Sequence, residues 1–155
     1  MTTSAFIRLA TPYQSPVIED AVLSVIRSGW LVAKSHTQRF EIKLSEYLGR
    51  KHAVAVSSGT GALVAAMAAL GIGPQSTVLV PAFTFPAPAR AAVFLGAQVR
   101  LCDVDADTFN VSAATVSAAL DESVSLVVGI DQFGAPCPAQ ELSEICAHRG
   151  IPLLM

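Results

Sequence analysis

The residues whose types and spacing could do chemistry are Ser57-Ser58-Gly59-Thr60-Gly61. Before them the short apolar run Ala53–Val56 reads as a buried strand, and after them an alanine-rich run reads as a helix. Strand, small-residue turn and helix start together suit an anion. The first amides of a helix lack partners inside it and point at whatever lies in front of them. Glycine lets the backbone approach closely, and the hydroxyls of Ser58 and Thr60 add donors. Phosphate is the guest such a turn fits. The same residues also suit a capped turn that binds nothing, and the rest of the chain must decide.

A second stretch, Pro81-Ala82-Phe83-Thr84-Phe85-Pro86, follows the next predicted strand directly and so falls at the same edge of the sheet. Its two aromatics are either core filler or a flat face for a conjugated ligand. A phosphate cradle beside an aromatic platform points to an aromatic phosphate ester, and pyridoxal phosphate fits.

Other chemistries match less well. A dinucleotide turn wants a third glycine where Val64 stands, and the next strand ends at Pro81 with no acidic residue for a ribose. No nucleotide P-loop pattern occurs. Ala55-Val56-Ser57-Ser58-Gly59 mimics a hydrolase nucleophile elbow, with Asp131 and His148 following in the right order. His148, however, falls beside Arg149 at a helix end, where a solvated histidine is the common case. Asp103-Val104-Asp105-Ala106-Asp107 begins like a calcium loop, but Thr108 replaces the required glycine and Ala114 the required glutamate. It reads instead as a turn, with Ser112 capping the next helix.

Regular elements must hold these stretches in place. Ser15 and Pro16 open a helix carrying Ile18, Ala21, Val22, Val25 and Ile26 on one face, ended by Gly29. A second helix carries Phe40, Leu44, Tyr47 and Leu48, and Gly49 stops it. From Ala53 onward, strands at Ala53–Val56, Val78–Val80, Val99–Cys102, Leu126–Ile130 and Pro152–Leu154 alternate with helices at Gly61–Leu70, Pro88–Leu95, Ala113–Leu120 and Ala139–Arg149. That alternation predicts an α/β fold, a mostly parallel sheet with helices on both faces. Residues 15–50 form two leading helices and 51–155 an alternating core. The fifth strand ends at Met155 with no closing helix, which reads as part of a longer domain.

Composition bounds the rest. With 155 residues, the chain is enough for one domain. It is 52% hydrophobic and only 14% charged, which suggests strands covered on both faces or a surface hidden by a partner. Net charge is −2, so a nucleic-acid partner is not expected. No run reaches the ~18 apolar residues of a membrane span. The start, MTTSAFIRLATPYQ, lacks the pattern of a secretory signal. Cys102, Cys137 and Cys146 are odd in number and widely spaced, and with the three histidines they show no zinc spacing. A cytoplasmic setting is expected.

Taken together, the motifs resemble the N-terminal part of the DegT-type (DegT/StrS) sugar aminotransferases. The resemblance runs from about Pro16 to Met155. It is carried by Ser28-Gly29-Trp30, Phe40-Glu41, Tyr47-Leu48-Gly49, His52 to Thr60, Pro81 to Phe85, Asp103-Val104-Asp105 and Gln132-Phe133-Gly134-Ala135-Pro136. It implies part of the large domain of the aspartate-aminotransferase fold (PLP fold type I), with pyridoxal phosphate as cofactor. Thr60 and the Gly61 amide would hold the cofactor phosphate, Gly59 would allow the close turn, Phe85 would stack on the pyridine ring, and Trp30 would sit near the active-site mouth. It further implies a homodimer, and transfer of an amino group from an amino acid such as glutamate to a keto sugar carried on a nucleotide.

There are departures. The family's aspartate for the pyridine nitrogen and its Schiff-base lysine fall after Met155, and Lys34, Lys43 and Lys51 do not match that lysine. Asp131 stands where many members have histidine, and a glycine expected near Lys34 is missing. Residues 1–155 alone are therefore expected to be inactive. A non-catalytic phosphate-ligand module and a serine hydrolase using Ser57 are the alternatives.

Overall fold

The structure, a computed structural model, describes residues 10–155. The reading of the N-terminal stretch as no secretory signal falls mainly on residues 1–9, outside the described residues. The chain divides into two units between Val54 and Ala55.

The first unit holds α1 (Pro16–Ser28) and α2 (Ser35–Tyr47). The Ser15 hydroxyl accepts the Ile18 amide at 3.4 Å, Pro16 occupies the first turn, and Gly29 closes α1 in the left-handed region at φ 68. The apolar stripe of α1 forms as the periodicity predicts, but no residue of α1 or α2 is buried.

The second unit runs α3 (Gly59–Ala69), β1 (Thr77–Pro81), α4 (Ala87–Phe94), β2 (Gln98–Cys102), α5 (Ala113–Ala119), β3 (Val124–Val128), a 3₁₀ turn (Gln132–Gly134), α6 (Ala139–Arg149) and β4 (Leu153–Leu154). The strands pair in parallel in the order β2-β1-β3-β4. Between Thr77 and Val78 the β1–β3 register skips Ser125, whose hydroxyl accepts the Thr77 amide at 3.3 Å.

One predicted strand is absent. Ala53–Val56 forms no strand. A strand exists through ladder bonds to a neighbour, and this segment pairs with none of the four strands of the sheet. Its two-residue rhythm survives as exposure, with Ala53 and Ala55 half-buried and Val54 and Val56 exposed.

Both faces of the sheet are covered, as the low charge suggested. Val78 and Val80 of β1 and Leu126 and Val128 of β3 pack with Met67 of α3 and Ala92 of α4. The intervening Leu79 and Val127 point the other way, toward Val116 of α5 and Leu142 and Cys146 of α6. The helices thus change face as the chain winds. It moves from β1 outward to β2 by way of α4, then returns past β1 to β3 by way of α5. The reversal places a switch point between β1 and β3, and open α/β sheets bind ligands beyond the carboxyl ends of the strands at such points.

Candidate functional site

A cavity of about 650 Å³ opens at that switch point. Thr84 and Phe85 reach it from the loop after β1, Gly129 and Asp131 from the end of β3, and Gly59 and Thr60 from the first turn of α3. Asp131 is the only acidic side chain in its lining, and no lysine is among the lining residues.

The first turn of α3 supplies donors. Ser58 is its N-cap, in extended backbone, and its hydroxyl accepts the Gly61 amide at 3.1 Å. Ala62 donates to the Ser58 carbonyl at 2.9 Å, the first turn's own bond. The amides of Gly59 and Thr60 take no partner among the described residues. Two residues with free amide donors at the positive end of an eleven-residue helix therefore line the cavity.

Phe85 stands 72% exposed, so it is not core filler. Its neighbour Phe83 meets Phe109 and Phe133 with ring centroids 5.5 and 6.1 Å away. The Thr84 hydroxyl donates to Gln132 Oε1 at 3.5 Å, which ties the Phe85 loop to the turn after β3. Asp131 Oδ1 accepts the Cys137 amide at 2.9 Å and so closes that turn.

Titration departs from ordinary values mainly outside the cavity. Burial pushes the Cys102, Cys137 and Cys146 thiols up, so they are unreactive neutral groups, and all three are free. Backbone and side-chain bonds from Thr108, with a further backbone bond from Asp107, hold Asp105 down. This matches a turn centred on that aspartate, and no metal-binding cluster occurs among the described residues. Ser112 caps α5 in a reciprocal box with Thr115, as its position predicted.

Of the residues proposed from sequence, the structure brings Gly59, Thr60 and Phe85 to one cavity. Gly61 is not in its lining, and Ser58 already uses its amide. Trp30 belongs to the first unit, 51% exposed, with the Lys34 ammonium 3.9 Å from its ring centroid. No hydrogen bond links Ser57, Asp131 and His148 among the described residues, and His148 is an exposed residue of the last turn of α6. Sequence reasoning missed Thr84 as a lining residue, although it lies between the two aromatics that drew attention. It also missed Asn110, whose buried carboxamide leaves no mark in a periodicity.

A parallel sheet with a cavity at its switch point is the architecture of open α/β domains that bind ligands beyond the carboxyl ends of their strands. The model of the DegT/DnrJ/EryC1/StrS aminotransferase family matches residues 12–155, and the chain belongs to that family. Among solved structures it is similar to an aminotransferase from Psychrobacter cryohalolentis, at 28% identity and a TM-score of 0.87, covering 92% of this chain and 36% of that one. It is similar to 3-amino-5-hydroxybenzoic acid synthase at 32% identity and a TM-score of 0.87, covering 93% and 38%. A Streptococcus pneumoniae protein assigned as a sugar aminotransferase, solved in its PLP-form, matches at 26% identity and a TM-score of 0.86, covering 94% and 38%. The chain thus spans under two-fifths of the length of these proteins and corresponds to part of their PLP fold type I domain. The family and its PLP-form structures indicate pyridoxal phosphate as the cofactor.

Proposed function

We propose that this chain is the part of a sugar aminotransferase that grips pyridoxal phosphate by its phosphate and one ring face. The observation that carries the reading is the meeting, in one cavity, of two unpartnered helix amides, the Thr60 hydroxyl and the exposed Phe85 ring. Those residues fit the group. Gly59 and Thr60 would hold its phosphate at the positive end of α3, and Phe85 would lie against its ring. Gly61 serves the site indirectly, by fixing the Ser58 cap.

When bound, pyridoxal phosphate supplies a conjugated ring that accepts electrons from an amino acid. This chain's residues orient it. The apolar wall formed by Leu63, Pro88 and Ile130 keeps water from one side, while Asp131 offers an acceptor at the rim. A lysine to carry the cofactor is not in the cavity lining, so residues 1–155 alone are proposed to bind without transferring an amino group. In the complete protein the amino group would pass from glutamate to a keto sugar carried on a nucleotide, in a homodimer. The low charge and the unburied apolar stripe of α1 support a covered surface.

Equilibrium dialysis against pyridoxal phosphate and against pyridoxal tests the reading. The phosphate ester binds about ten-fold or more tighter if one or two charge-assisted bonds form. Equal affinities would overturn it.

A further inference from the structure

We propose that Asn110 is a positioning residue for this site: its carboxamide holds the turn 131–135 in place, and through Gln132 that turn holds the loop carrying Phe85. The inference rests on the reading above. Asn110 is 2% exposed and is not among the residues that line the switch-point cavity. Its Oδ1 accepts the Gln132 amide at 2.9 Å, and its Nδ2 donates to the Ala135 carbonyl at 2.8 Å. One side chain therefore grips both ends of the same turn. Its own carbonyl accepts the Asp105 amide at 2.9 Å, which anchors the grip in the loop after β2.

The turn needs holding. Phe133 sits at φ 56, a left-handed conformation that bulky residues seldom adopt. Phe109, beside Asn110, does the same at φ 59. Their rings lie 6.4 Å apart, centroid to centroid, and each meets Phe83. The rings join the three loops that leave the carboxyl ends of β1, β2 and β3 in tilted and edge-on contacts, and the Asn110 carboxamide joins the second of these loops to the third. Two further observations tie the turn to the cavity. Gln132 meets Thr84, which precedes Phe85, and Asp131 at the head of the turn lines the cavity. The phosphate end depends on neither, since the α3 cap is built from Ser58 and Gly61.

That division gives a test that a purely stabilising role would not pass. On the 155-residue chain, Asn110→Ala lowers affinity for pyridoxal phosphate about five- to ten-fold and leaves affinity for inorganic phosphate within about two-fold. Equal loss for both ligands, or no loss for either, overturns the role. If Asn110→Ala does not fold, Gln132→Ala keeps the backbone grip and removes only the tie to Thr84. It shows the same split if the loops are coupled and wild-type binding of both ligands if they are not. A wild-type chain that does not prefer pyridoxal phosphate to pyridoxal defeats the proposed function. A variant that matches a discriminating wild type defeats only the role of Asn110.

Discussion

Ser58 decides how much of the α3 terminus is available. Its hydroxyl takes the Gly61 amide, so the donors left over are those of Gly59 and Thr60, one residue earlier than the resemblance implies. Such a shift could not be read from residue types, because serine at this position is equally a cap and a phosphate donor. Phe85 was named through the resemblance, since the residue types of its loop left core filler and a flat face both open; its 72% exposure excludes the first. Away from the site, Asp121 is the residue with the clearest electrostatic signature. Bonds from the Ser123 hydroxyl and amide, then from Arg100 at 2.6 Å, lower its pKa to about 2. A carboxylate depressed on folding stabilises fully above its unfolded value, near 3.8, and its contribution disappears as pH falls toward 2. Acid titration of stability is therefore predicted to be shallower between these limits for Asp121→Asn than for wild type. Identical profiles would mean that the pair is too well solvated to matter.

The elements were largely legible because their periods differ. Two-residue alternation in β1 and β3 sends Val78, Val80 and Leu126 to one helical layer and Leu79 and Val127 to the other. Caps at Ser15 and Ser112 marked helix starts. The miss, Ala53–Val56, shows the limit of such signals. An apolar run states a preference for a pleated, half-buried place, while a strand also requires a neighbour that no local pattern reveals. Position within the sheet sets energetic weight. Leu126 is fully buried on central β3, whereas Leu101 on edge strand β2 is 63% exposed. Leu126→Ala is predicted to cost about 2–5 kcal/mol by removing packed methyl groups and leaving a cavity. Leu101→Ala is predicted to change stability by about 0.5 kcal/mol or less. Urea unfolding of the two variants checks the contrast, and similar midpoint shifts would contradict the layer assignment.

At the scale of the molecule, the fold places its one reversal of winding between β1 and β3 and opens its cavity there. Family membership and the PLP-form structures agree on a cofactor domain, of which the chain matches under two-fifths of the length of the related structures. The residues that line the cavity at Gly59, Thr60 and Phe85 were legible as motif. The support was not, since Asn110 acts through contacts to residues 22 and 25 positions away. The central claim is that unpartnered amides of α3 receive the cofactor phosphate. Backbone amide resonances of an isotope-labelled chain, followed while pyridoxal phosphate is added, test it most directly. The account predicts that Gly59 and Thr60 shift furthest and saturate together with Phe85. Shifts confined to other residues, with those two amides unmoved at saturation, would contradict it.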